Sequence, residues 1–113
     1  MAKSYPLQIT MVSFASSSLS SSYQSMNAAT NGLPEACFLT EIVNDGTTSV
    51  TISWDGVNDH IRVLAASRVP YNWQTNAEPH NDVSLNKKGT QYYIKGTAGT
   101  GNIYLSGFYH PVK

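Results

Sequence analysis

Hydrophobic residues in this chain recur at every second position, and no long stretch keeps the 3.6-residue period of an amphipathic helix. Over residues 5–14 the alternation Leu7, Ile9, Met11 slips one place to Val12 and Phe14. A one-residue slip exchanges the two faces of a strand, so a β-bulge or bend is expected near Met11 and Val12. A serine tract follows, Ser16 to Ser18 and Ser20 to Ser22 around Leu19, ending in Tyr23 and Met26. Its composition is that of a flexible linker, whereas Leu19, Tyr23 and Met26 are apolar anchors that suit an ordered edge segment. Asn31-Gly32-Leu33-Pro34 reads as a turn.

The middle of the chain gives the clearest strands. Residues 36–43 form a mostly apolar run suited to a strand covered on both faces. Asn44-Asp45-Gly46 carries a turn signal. Residues 49–55 then alternate cleanly, with Val50, Ile52 and Trp54 inward and Thr51 and Ser53 outward. After Asp55-Gly56, residues 60–64 make a short strand with Ile61 and Val63 on one side. Residues 68–74 alternate Val69, Tyr71 and Trp73, and Pro70 confines them to an edge or a strand start. Residues 75–90, rich in Asn, Pro and Lys, are the longest expected loop. Residues 91–95 and 102–110 are strands joined by Gly96-Thr-Ala-Gly-Thr-Gly101. The pattern predicts an all-β chain: one antiparallel β-sandwich, jelly-roll-like, of seven to eight strands, with no long helix.

A length of 113 residues fits that single domain over 1–113. Residues 1–34 supply its first strand and the serine-rich segment, a candidate assembly arm. Only 12% of residues are charged, about half the usual ~25%, so the surface is built largely from hydroxyls, amides and backbone. The net charge is zero, which argues against direct nucleic-acid binding, since that affinity comes from neutralised phosphates. All seven acids lie within residues 35–82, while residues 83–113 hold Lys87, Lys88, Lys95 and Lys113 and no acid. Either copies meet acidic face to basic face, or the fold mixes the two signs. Cys37 is the only cysteine, so no internal disulfide can form, and its apolar neighbours point to a buried structural role. The apolar stretch after Lys3 is broken by Gln8, Thr10 and Ser13, so it makes no signal-peptide core. No window reaches the ~20 apolar residues of a membrane helix.

Candidate chemistry is sparse. Gly96, Gly99 and Gly101 lie between two strands, whereas phosphate loops need a strand-to-helix transition; here they permit positive φ in a hairpin. Asp55, Asp59 and His60 could gather round Ca²⁺, but the EF-hand spacing fails and Asp commonly closes turns. His60, His80 and His110 have no metal-ligand spacing. No Gly-x-Ser-x-Gly elbow is present, so a hydrolase is a remote third reading. No cofactor and no catalytic residue is expected. The aromatics are stronger candidates: Tyr71 and Trp73, with Asn72 and Asn76, could stack on sugar rings. Tyr92 and Ile94 should face one way and Tyr93 the other, and Tyr104 and Phe108 should oppose Ile103, Leu105 and Tyr109. Exposed aromatics with few charges are the composition of an interface core, which makes Tyr71, Trp73, Tyr93, Tyr104 and Phe108 the candidate interface or ligand platform.

Three segments carry a resemblance: Ile52-Ser-Trp-Asp-Gly-Val-Asn-Asp-His60, Tyr71-Asn-Trp-Gln-Thr-Asn76 and Lys95-Gly-Thr-Ala-Gly-Thr-Gly-Asn-Ile-Tyr-Leu-Ser-Gly107. They resemble a group of small virion proteins of tailed bacteriophages, over most of the chain from about Pro34 to Tyr109. The resemblance implies a β-sandwich structural protein of the particle, present in many copies, that decorates the capsid or joins head and tail components. The implied partners are other virion proteins and the chain itself. It implies no catalytic residues. The alternative expectation is a carbohydrate-binding module for host attachment.

Overall fold

The computed structural model describes residues 7–28, 32–73 and 86–109. In chain order these form β1 (Leu7–Gln8), β2 (Val12–Ala15), one turn of 3-10 helix (Ser16–Ser18), β3 (Gln24–Ser25), β4 (Leu39–Asn44), β5 (Val50–Ser53), β6 (Ile61–Val63), β7 (Ser67–Asn72), β8 (Tyr93–Gly96) and β9 (Asn102–Tyr109). Two antiparallel sheets face each other. In sheet A, β9 pairs on one side with both β1 and β2 and on the other with β4, which pairs with β7. Sheet B runs β3-β8-β5-β6.

β1 and β2 are two halves of one interrupted strand. Leu7 and Gln8 pair with Tyr109 and Phe108, and Val12 pairs with Leu105. Four steps along the first strand therefore match three along β9, the one extra residue of a bulge. The slip in the hydrophobic pattern marks this place. The face change comes earlier than the spacing suggests, however: Ile9 is buried, while Met11, expected inward, is 51% exposed. Its side chain falls in the bulge, where no core position exists for it.

Counting β1 and β2 as one strand leaves eight. The first pairs with the eighth, the second with the seventh, the third with the sixth and the fourth with the fifth. This nested pairing is a hairpin ribbon wound around two sheets, the jelly roll. The nine separate strands are one more than the expected seven to eight because the bulge divides the first, and β3 lies inside the serine tract. Leu19 and Met26 are buried and Tyr23 is half-buried, so the tract is an ordered edge segment held by its apolar anchors.

The core lies between the sheets. Ile42, Val50, Ile52, Val63, Ile94, Ile103 and Leu105 are all buried there, each contributing roughly 1.5–3 kcal/mol relative to exposure. The alternation read at 49–55 holds for Val50, Thr51 and Ile52, whereas Ser53, expected outward, is buried beneath the turn it bonds, and β4 is central as expected. Its outer side is only half-buried, so the face predicted to be covered is open to solvent among the described residues. β7 is an edge strand with Pro70 opposite Glu41, where a missing N–H costs no ladder bond. Cys37 is buried, and that burial, with the Glu35 charge nearby, pushes its thiol up to about 11. Of the three hairpin glycines only Gly101 adopts positive φ, at +89°. The two charge signs mix: Arg68 Nε lies 3.5 Å from Glu41 and Lys95 Nζ 3.2 Å from Asp59. His80, His110, Gln74 and Asn76, and most of the 75–90 loop, fall outside the described residues.

Candidate functional site

The jelly roll sends its loops to two ends. At one, the described segments 26–28, 32–38, 54–60, 71–73 and 86–92 converge on a cluster of rings. Trp54, which follows β5, stacks on His60 with centroids 5.1 Å apart. It meets Tyr71 at 5.6 Å, Trp73 at 5.3 Å and Tyr92 at 6.1 Å, each edge to face. Tyr71 and Trp73 lie 4.4 Å apart and tilted by 31°. These geometries are the favourable ones for ring quadrupoles. They result from alternation: Trp54 continues the inward side of β5, and Val69, Tyr71 and Trp73 continue that of β7.

A polar network fixes the cluster from beneath. Trp73 Nε1–H donates to Thr40 Oγ1 at 3.0 Å, and Thr40 also shares a hydrogen bond with the Tyr92 hydroxyl at 3.1 Å. Tyr92 has one proton to give, and it goes to Asn86 Oδ1. Asn27 completes the network by accepting the Tyr92 amide and donating to the Thr90 carbonyl. Burial raises the Tyr92 phenol to about 12, against the opposing hydrogen bond with Thr40. The phenol therefore stays protonated and acts as a strut. One face of Tyr71 and one of Trp73 are turned toward each other, and both rings meet Trp54 edge to face.

Ser53, Asp55 and His60 bring together the residue types of a hydrolytic triad, with Ser53 bonded to Asp55 and its neighbouring amides. Ser53 Oγ, buried, donates to Asp55 Oδ1 at 2.8 Å and accepts the Asp55 and Gly56 amides. A serine nucleophile needs a base to take its proton, whereas His60 meets Asp55 and the backbone: its Nε2 lies 3.9 Å from Asp55 Oδ2 and its Nδ1 accepts the Trp54 amide at 3.0 Å. Asp55 accepts the amides of Val57 and Asn58 and the Asn58 side chain, each at 2.8 Å. Those donors, Asn58 first, hold its carboxyl well below the usual carboxylate range. Asp55 closes a turn, as Asp often does. Asp59 turns away to Tyr23 and Lys95; these partners lower its pKa, and burial with the Asp59 bond raises Tyr23 to about 12. Among the described residues no group of three or more His, Cys, Asp or Glu is placed to hold a metal ion.

The remaining candidates separate onto two faces. Tyr93 points outward from sheet B, as the alternation predicts, and lies under the 55–58 turn: a Cβ on Gly56 would sit 3.6 Å from its ring. Tyr104 and Phe108 point outward from sheet A, opposite the buried Ile103 and Leu105. There the register sets Leu39 beside Phe108 and Val43 beside Tyr104. These four half-buried apolar side chains span the two central strands, with Glu41 and Ser106 between them, and none belongs to the inner core. The five residues proposed as one platform thus occupy three places. Leu39 and Val43 complete the outer strip; their odd-numbered spacing opposite the inward Thr40, Ile42 and Asn44 was the signal for it.

No family model, curated protein or solved structure matches the chain. Among the described residues no helix is long and apolar enough to cross a membrane.

Proposed function

We propose that this protein is a non-enzymatic structural subunit of a tailed-phage virion, which binds neighbouring virion subunits and its own copies. The observation that carries the reading is the Leu39–Phe108 and Val43–Tyr104 strip on the outer face of sheet A. A sheet face that carries apolar and aromatic side chains on its central strands suits contact with another protein, because desolvated aromatics dominate interface energetics. The jelly roll supports this by analogy, being the architecture of viral capsid and lectin domains, and analogy of fold alone assigns no function. The low charge and zero net charge support it further, since little repulsion opposes association.

The test pairs light scattering on the purified protein with co-sedimentation on particles that lack it. Wild type should associate and bind; the double variant Tyr104→Lys with Phe108→Lys should stay folded by circular dichroism and lose both. A wild-type protein that is strictly monomeric and ignores such particles overturns the reading, as does a folded double variant that binds normally. The carbohydrate module remains the competing reading for the aromatic end. Glycan-array binding abolished by Trp73→Ala, in a protein that ignores particles, would favour it.

A further inference from the structure

The outer face of sheet B carries a second feature, independent of the strip on sheet A. The register places Thr51 of β5 between Arg62 of β6 and Lys95 of β8. All three point away from Val50, Ile52, Val63 and Ile94, which fill the core. With Thr48, Ser49 and Thr97 they line an open hollow of about 590 Å³, within the ~300–1,000 Å³ of small-molecule sites. No acid lines it. In a chain with seven Lys and Arg in total, two of them share this one hollow.

The groups are prepared to different degrees. Lys95 is held in place, 3.2 Å from Asp59 and over the Tyr23 ring at 4.6 Å. An ammonium has three donors, so Asp59 leaves others free. Arg62 forms no ion pair among the described residues, and its planar fork fits a carboxylate in bidentate fashion. Thr48 donates its proton to the Thr97 carbonyl at 2.7 Å, so the oxygen lone pairs are directed to accept from a ligand. A guanidinium and an ammonium flanked by hydroxyls match a ligand that combines one carboxylate with several hydroxyl groups.

We propose that this hollow binds an acidic saccharide of the uronic-acid type, its carboxylate on Arg62 and Lys95 and its ring hydroxyls on the Thr48, Ser49 and Thr51 side. A simple inorganic anion would use the cations and leave the hydroxyl rim idle. A neutral sugar would leave the guanidinium unpaired. The site lies away from Tyr71 and Trp73, where the sequence suggests sugar binding, and on the opposite sheet from the proposed subunit contact.

The test is titration of isotope-labelled full-length protein, followed by amide chemical shifts, with methyl glucuronide, methyl glucoside and sodium sulfate in turn. Methyl glucuronide should give saturable shifts centred on Thr51, Arg62, Lys95 and Thr97, at least about tenfold tighter than either other probe. Arg62→Ala, at an exposed position, should weaken it about tenfold with the rest of the spectrum unchanged, while Lys88→Ala, an exposed cation outside the hollow, should not. No shifts with methyl glucuronide, equal affinity for methyl glucoside or for sulfate, or indifference to Arg62→Ala would each overturn the proposal. None of these results bears on particle binding, so this site and the subunit reading stand or fall separately.

Discussion

The two ends of the jelly roll order their loops by different chemistry. At one end ring stacking does most of the work, with Trp54 at the centre of His60, Tyr71, Trp73 and Tyr92. At the other, the segments 16–23, 45–49 and 97–101 are rich in Ser, Thr and Gly and, apart from the buried Leu19, are joined by backbone and hydroxyl bonds. The Ser16 amide donates to the Gly101 carbonyl at 2.9 Å, the Thr47 amide to the Thr100 carbonyl at 3.1 Å, and the Thr100 amide to Thr47 Oγ1 at 3.0 Å. Asn44, buried, ties this end to sheet B by donating to the Thr48 and Val63 carbonyls while accepting the Gly46 amide. A chain with few charges can thus hold loops either by dispersion and quadrupoles or by a dense set of short-range hydrogen bonds. The first concentrates stability in one residue; the second spreads it over many.

That contrast predicts unequal responses to substitution. Trp54→Ala should have the largest effect, about 3 kcal/mol by urea denaturation, because it leaves four rings facing a void. A loss under about 1 kcal/mol would mean that the rings repack and that the end is not organised around Trp54. Gly101→Ala should come next at the other end, about 2 kcal/mol, since a Cβ there would sit 2.5 Å from the Asp45 carbonyl oxygen at a φ of +89°. Thermal melts of the two variants side by side give the ranking.

The smallest effect is local and separates the ends by pH. Asp55 has its pKa depressed in the folded state, so its contribution is complete above the ordinary carboxylate value of about 4. It is lost as pH falls from there through the lower folded value. Amide-exchange protection at Val57 and Asn58 should therefore fall on acidification below pH of about 4, while Thr47 and Thr100, bonded to carbonyl and hydroxyl acceptors, keep theirs. Equal loss at both ends would show that acid loosens the whole sandwich.

Much of this fold was legible because alternation reports directly on facing. Val50, Ile52 and Trp54 point inward as spaced, Tyr93 opposes Tyr92, and Pro70 lies on an edge. What escaped was set by contacts between residues far apart in sequence. β3 is only Gln24 and Ser25 and acquires its strand form from β8, so the surrounding serines conceal it. Asn44 was read as the start of a turn, yet the period that places Thr40 and Ile42 inward places Asn44 there too. The aromatic candidates were pooled, because sequence spacing within one strand says nothing about which sheet the strand joins. The Arg62, Thr51 and Lys95 row was invisible for the same reason: it exists only once β6, β5 and β8 lie side by side.

The interruption between β1 and β2 has a wider consequence. Among the described residues, every border of the two sheets is unsuited to recruiting another chain's strand: one carries the extra residue at Ile9 to Met11, one carries Pro70, and the other two, β3 and β6, are two and three residues long. These described borders offer no template for ladder-by-ladder growth of the kind that seeds fibrils. Copies crowded together at high density would meet through broad surfaces and stay discrete, a safeguard against runaway polymerisation built into the backbone itself.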